Sequence, residues 1–303
     1  MPDDVIAPRL QPAEVVEAEA EAAASTGEQT LPRKEDAPPT HGRAARGARR
    51  RDAGPPPALA TAGILVALLL LWIAGSALEL WSSNVLPPPA DVGSALVELV
   101  QTGTFWQAVR ITVTEIVAVF AAALVIGFGL GMLFWKAPYL GRVCEPYLVS
   151  FYAVPFIVFY PTMVVIIGLN SWPIIVLATV MATIPMTLNT WIGLAGVSHV
   201  FWKLAAVLGC GRRQTIFRIA IPAAAPIVLA GVRLALIYSL IGSVSMEFLL
   251  APNGLGYQIR YQYELFHQNE MVAYVLVVFM LAGLLAITIA AMEGWVLGRR
   301  RSS

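Results

Sequence analysis

The sequence predicts an all-α integral membrane protein, six transmembrane helices behind a disordered N-terminal tail, and three observations carry that reading. Hydrophobic residues make up 58% of the 303 residues and charged residues 13%, with a mean hydropathy of +0.71. No soluble core requires so large an apolar share. The charges are also segregated, because residues 1–52 hold 18 of the 39 charged side chains and leave 21 for the other 251 residues. Beyond that segment lie six apolar runs, each close to or above the roughly 20 residues a helix needs to cross the hydrocarbon of a bilayer.

The tail, residues 1–57, is rich in Ala, Glu, Pro and Arg and contains no aromatic residue. Such a segment cannot bury enough apolar surface to offset the entropy of ordering it. A secretory signal would place its apolar stretch within the first 30 residues or so. Here the first apolar run begins near Leu59, so the tail is expected to stay attached, held in the cytoplasm by the arginines of 43–51.

The apolar runs cover residues 58–81, 109–134, 147–168, 172–197, 223–250 and 272–297. Their connections fix the orientation. The connection 82–106 carries no Lys or Arg, Lys136 and Arg142 mark the next one, and 168–172 carries no charge. Lys203, Arg212, Arg213 and Arg218 then crowd one loop, Arg260 is the sole base of the following one, and the chain ends on Arg299, Arg300 and Arg301. Basic connections alternate with bare ones, which places both termini in the cytoplasm. The third span holds Pro155 and Pro161, and these should kink it.

Several chemistries find no support. Cys144 and Cys210 belong to no CxxC pair and fall on cytoplasmic connections, and His41, His199 and His267 show no metal-ligand spacing. There is no phosphate loop of the GxxxxGK[ST] type and no GxSxG elbow. No catalytic residue, cofactor, metal or nucleic-acid partner is therefore expected of this chain. If ATP is used, another subunit must bind it.

The basic loop is the most informative segment. In residues 203–222, KLAAVLGCGRRQTIFRIAIP, apolar positions recur at roughly helical spacing and Gly209 and Gly211 interrupt them. Gly209, nine residues, then Ile219-Ala220-Ile221-Pro222 resembles the G-x9-I-x-[LI]-P core of the EAA loop, the signature of membrane subunits of binding-protein-dependent ABC importers. The segments EPYLVSFYAVPFIVFYP (145–161), PMTLNTWIGL (185–194), IVLAGVRLAL (227–236) and MEFLLAPNGLGY (246–257) extend the likeness, which is to the nitrate, sulfonate and taurine branch.

The resemblance covers about residues 60–300. It implies the type I importer permease architecture for residues 58–300, in the bacterial cytoplasmic (inner) membrane. It further implies a coupling loop at about 199–222, ATPase subunits that bind ATP and Mg, an extracytoplasmic substrate-binding protein and a second permease copy, with a homodimer the simpler assembly. The solute implied is small and anionic, such as nitrate, a sulfonate or taurine. The coupling residues it implies are Lys203, Leu204, Ala205, Gly209, Arg212, Ile219, Ile221 and Pro222. Lys203 departs from the pattern, since it stands where the family carries Glu; it is either a compensated contact or a solvated charge at a helix start.

Gly254, Gly256 and Tyr257 would face the binding protein or form a plain turn. Tyr261, Tyr263 and Phe266 suit headgroup depth. Tyr152, Pro155, Tyr160 and Asn189 are pathway candidates, against the alternative of ordinary hydrogen bonding inside the bundle. Charges inside spans mark function by default; Glu115 and Arg233 are further pathway candidates and, judged to lie at similar depth, could pair. Glu247 and Glu293 are expected to reach the interfaces. The competing reading, a secondary transporter or channel acting alone, would favour inverted repeats and midplane coupling residues, and matching halves are not visible in the sequence.

Overall fold

The computed structural model describes residues 57–82, 85–152 and 154–298, giving backbone only for 57–60, 152, 212 and 295–298. The expected tail, up to residue 56, and the terminal arginines 299–301 lie outside the described residues. All regular structure among the described residues is helical. In chain order there are α1 (Pro57–Ala77), α2 (Pro89–Val100), α3 (Gly103–Lys136), α4 (Pro138–Tyr152), a 3₁₀ turn (Phe156–Phe159), α5 (Tyr160–Ile167), α6 (Trp172–Ala195) and α7 (His199–Val207). A helical turn (Arg212–Gln214) and a π-helical turn (Thr215–Ala220) then lead into α8 (Ile221–Leu250), followed by α9 (Leu255–Glu264) and α10 (Gln268–Gly298).

Among the described residues, α3, α6, α8 with its flanking turns, and α10 are each long and apolar enough to cross a membrane. The third expected span is a broken one: Pro138–Phe151 and Phe156–Ile167 meet at 80°. Pro155 opens the 3₁₀ turn and Pro161 sits in the first turn of α5. A proline has no N–H to give, so Pro155 cannot continue the helix before it and the chain bends there, whereas Pro161 sits in the first turn of α5, where no intrahelical N–H bond is lost. The first run is shorter than expected. α1 stops at Ala77, where Leu78 N donates to Ala74 O (2.9 Å) and Leu80 N to Gly75 O (3.0 Å).

The connection 82–106, which carries no Lys or Arg, contains a helix that was not expected. α2 starts on Pro89 and buries Val92 and Ala95 against Ala273 of α10, with Trp72 of α1 packed beside them. Trp72 Nε1 donates to Pro87 O (3.0 Å), which ties α1 to this connection. Thr102 then caps α3, its hydroxyl accepting from Phe105 N (3.3 Å).

α6 is the central helix, packed along α3 on one side and α8 on the other. Small residues permit the close approach, as expected where lipid supplies no hydrophobic drive for helices to associate. Gly127 and Gly131 of α3 lie against Met186 and Thr190 of α6, and Gly231 and Gly242 of α8 against Asn189 and Ala178. A Cβ at Gly131 would stand 2.5 Å from Thr190 Cβ and 2.8 Å from the backbone oxygen of Thr187. Gly131→Ala is therefore expected to destabilise the fold by about 1–3 kcal/mol, read as a lower Tm of the purified protein in detergent.

Candidate functional site

Two places carry functional geometry, one at each end of the bundle. At the first, α7 begins at Ser198, whose hydroxyl accepts from Val200 N (3.3 Å). It ends in a Schellman motif: Cys210 N donates to Ala205 O (3.0 Å) and Gly209 N to Ala206 O (3.1 Å), with Gly209 at φ +64. That left-handed conformation is the reason for glycine here. The chain restarts at once, because Gly211 N donates to Gln214 Oε1 (3.2 Å), the return arm of a capping box. Pro222 enters the first turn of α8, where its missing N–H leaves no bond unmade.

The loop presents two faces. Ala205 is buried, and Trp202 stacks on Trp135 of α3 with ring centroids 5.9 Å apart. Trp202 and Trp135 also pack on the cluster of Leu194, Val197, Ala220 and Ala224, so α7 is seated on the ends of α3, α6 and α8. The other face is bare: Val200, Phe201, Leu204, Val207 (84% exposed) and Leu208 recur one helical turn apart, and Phe217 extends the row. Lys203 is exposed beside them and makes no ion pair among the described residues. Ile219, Ile221 and Pro222 are half-buried at the root of α8, and the side chain of Arg212 lies outside the described residues. The stripe is flanked by exposed bases, Lys203, Arg213 and Arg218, and is carried on a helix packed against the ends of three spans.

The second place gathers residues far apart in the chain. Glu247 of α8 is fully buried and accepts from Thr112 Oγ1 of α3 (2.7 and 2.9 Å) and from Gly256 N (2.8 Å). Thr112 Oγ1 in turn accepts from Leu255 N (2.8 Å). The two N–H groups that open α9 are thus satisfied by side chains of α3 and α8. Gly254, at φ +107, lies so close that a Cβ there would meet the Glu247 carboxylate at 2.3 Å, and one at Gly256 would meet Val244 O at 2.4 Å. Arg260 closes the corner from above, Nη1 donating to Leu249 O and Nη2 to Ala251 O (3.2 Å), while its guanidinium lies 5.4 Å from the centre of the Tyr257 ring.

These contacts correct three expectations. Glu247 does not reach the interface; it is the acceptor around which the 251–256 turn folds. Glu293 pairs with Arg233, and Glu115 therefore does not. Glu115 lies a dozen residues from the start of α3 and Arg233 a dozen from the start of α8, and α8 runs antiparallel to α3. Each is about 18 Å from the opposite end of its pair of helices, and helices this long leave the two side chains in different halves. Glu115, only 3% exposed, lies instead beside Glu247 and Ser171.

The other candidates are placed as follows. Tyr160 is fully buried in the cluster of Ile174, Leu177, Met246 and Ala251, so it is a core residue and lines no open face. Asn189 Nδ2 donates to Pro185 O (2.8 Å) within α6, in keeping with hydrogen bonding inside the bundle. Pro155 is exposed at the bend, and the side chain of Tyr152 lies outside the described residues. Arg233, 53% exposed, stands on a groove of about 480 Å³ between α8 and α10. Tyr257 stacks on Tyr261 at 5.8 Å, and Tyr263 and Phe266 are exposed beyond them. Thr112, whose hydroxyl joins α3 to the turn, is the residue that sequence reasoning missed; a lone Thr in a span carries no signal.

The fold is a helical bundle with four helices among the described residues long and apolar enough to cross a membrane, and an exposed apolar helix at one end. Residues 123–301 match the family model described as binding-protein-dependent transport system inner membrane component, and the chain belongs to that family. It is 26% identical over 236 residues to the taurine transport system permease protein TauC of Escherichia coli K12, covering 76% of this chain and 86% of that one. It is 25% identical over 210 residues to the putative aliphatic sulfonates transport permease protein SsuC of Bacillus subtilis 168, covering 69% and 76%. An inward-facing structure of the MetNI methionine ABC transporter shares the fold at a TM-score of 0.55 and 22% identity, over 64% of this chain and 96% of that one.

Proposed function

We propose that this chain is the membrane-spanning subunit of an ATP-driven importer, that it supplies half of the translocation path for a small anionic solute, and that α7 couples it to a separate ATPase. The observation that carries the coupling role is the bare apolar face of α7 on a helix whose other face is stacked on the bundle. A push on Leu204 or Val207 passes through Trp202 and Ala205 to α3, α6 and α8 together, so a partner that moves α7 moves the spans. The ATPase binds ATP and Mg; this chain contributes no group to that chemistry.

The names of the taurine and sulfonate relatives support a nitrate-, sulfonate- or taurine-like solute, and the half-exposed Arg233 on α8 is the cation such a solute would meet. Residues 58–300 form the permease domain and 1–57 a cytoplasmic tail, with both termini inside. Two copies form the path, since one bundle offers a half-open groove beside Arg233. The outer end, with Gly254, Gly256 and Tyr257 in its turn and Tyr261, Tyr263 and Phe266 on its surface, receives the substrate-binding protein.

The test is purification of the tagged protein from its native host in mild detergent, followed by mass spectrometry. Recovery of a nucleotide-hydrolysing subunit, lost in Leu204→Glu, is the expected result. A well-folded chain with no ATPase in either sample would point to a transporter that works alone. Lys203→Glu is expected to weaken the association several-fold at low ionic strength and little at high, because an exposed contact of this kind is screened by salt.

A further inference from the structure

Arg233 is only partly used by its partner. A guanidinium carries several N–H donors in a fixed fork, and among the described residues the side chain of Arg233 makes one polar contact, from Nη2 to Glu293 Oε2. This is a single-point pair and not the bidentate fork that an arginine and a carboxylate form at their strongest. The two side chains also differ in setting, with Arg233 53% exposed and Glu293 19%. The carboxylate is enclosed, and the rest of the guanidinium is left open.

It opens onto the groove of about 480 Å³ between α8 and α10. Arg233 lines that groove, Glu293 does not, and every other lining side chain is aliphatic, Leu236, Leu240, Leu285 and Ile289 among them. The lining positions of α8 run from Arg233 to Ile241, about 12 Å along the helix, so the one charge stands at one end of an apolar trough. A ligand that suits it has an oxyanion for the free N–H groups and an alkyl body for the walls. One cation balances one anion, however. With an oxyanion in the groove and Glu293 still in place, two negative groups share Arg233, and like charges at one site disfavour each other, the more so inside a span.

We propose that Glu293 competes with the anionic solute for Arg233: it holds the guanidinium while the groove is empty, yields it as the oxyanion arrives, and takes it back as the solute leaves. Glu293 thereby sets how weakly the path holds its solute, and a path must hold weakly enough to let go. The inference rests on the reading of Arg233 as the cation that meets the solute, and deepens it.

The test uses the full chain in lipid nanodiscs and sodium ethanesulfonate as probe, exchanged for sodium chloride at constant ionic strength. It reads the saturable rise in Tm that a ligand of the folded state produces. Glu293→Gln, nearly isosteric, is expected to tighten the apparent affinity at least about fivefold, because the site is no longer withheld by its own anion for most of the time. Arg233→Gln is expected to abolish the response. If Glu293 served only to aim the guanidinium, Glu293→Gln would change affinity in the opposite direction and bind more weakly. Unchanged or weaker affinity in Glu293→Gln, with the response still lost in Arg233→Gln, overturns the competition and leaves the reading of Arg233 standing. A response that survives Arg233→Gln, or no response in any of the proteins, overturns both. If Glu293→Gln does not fold, Glu293→Asp, one methylene shorter, replaces it, and an affinity no tighter than wild type overturns the proposal.

Discussion

Gly209→Val is expected to lower ATP-driven uptake at least tenfold while the protein still inserts, folds and melts close to the wild-type temperature. Gly209 sits at φ +64, where a β-branched residue is a steric outlier, and both bonds of the Schellman motif depend on that conformation. A valine there forces the chain out of the left-handed region, at a cost of about 1–3 kcal/mol confined to the end of α7. Nothing lies within 4 Å of a Cβ at this position, so the packing of the spans is not touched. The damage falls on the angle between α7 and the turn that leads to α8, which is the angle a partner would push against. Gly209→Asn supplies the control: Asn tolerates the left-handed conformation, and it is expected to keep most of the uptake. Uptake into proteoliposomes with the complete transporter, read beside Tm for each variant, separates loss of coupling from loss of fold.

Gly256→Val is expected to do the reverse, removing the folded protein itself. A Cβ at Gly256 would lie 2.4 Å from Val244 O and 2.7 Å from both Glu247 Cβ and Phe248 N. Two of these are backbone atoms inside α8, which cannot step aside. The turn must therefore lift away, and the bond from Gly256 N to the Glu247 carboxylate breaks with it. Overpacking costs about 1–3 kcal/mol and leaving the buried Gly256 N–H without its acceptor about 1–3 kcal/mol, so a total of about 3–5 kcal/mol is expected. That is a large part of the stability of an ordinary domain. Size-exclusion profiles of detergent extracts should show little monodisperse protein, and what remains should melt well below wild type. Thr112→Val, which keeps the shape and removes the hydroxyl, should fall between the two.

The two ends of the bundle differ in how far their chemistry could be read from sequence. The loop at 199–222 is local: Ser198, Gly209, Gly211, Gln214 and Pro222 are caps and stops within 25 residues, and each acts on its near neighbours. Its spacing therefore translated directly into α7, its Schellman end and the start of α8. The outer cluster is non-local. Thr112 and Glu247 are 135 residues apart, and only the antiparallel packing of α3 and α8 brings them together. Counting residues along spans placed Glu115 and Arg233 at similar depth, without knowledge of how α3 and α8 pack in register. α3 has 34 residues and α8 has 30, and their ends are offset. The glycines at 254 and 256 did carry a signal: two of them just past an acidic residue near a helix end suit a turn folded onto that carboxylate. The break at Pro155 was foreseen as a kink, and its sharpness, 80°, was not, because the chain turns at 155 and is helical again from Phe156.

The coupling role of α7 is tested most directly by placing a photocrosslinking residue at Val207, the most exposed apolar position of the helix, in the full chain expressed in its native host. Irradiation in the membrane followed by mass spectrometry of the crosslinked band is expected to identify an ATP-hydrolysing subunit, with a yield that changes when nucleotide is trapped. A crosslinker at Val165, equally exposed but on α5, is expected to capture no such subunit. If Val207 captures only lipid, or the same products as Val165, α7 is not the coupling element.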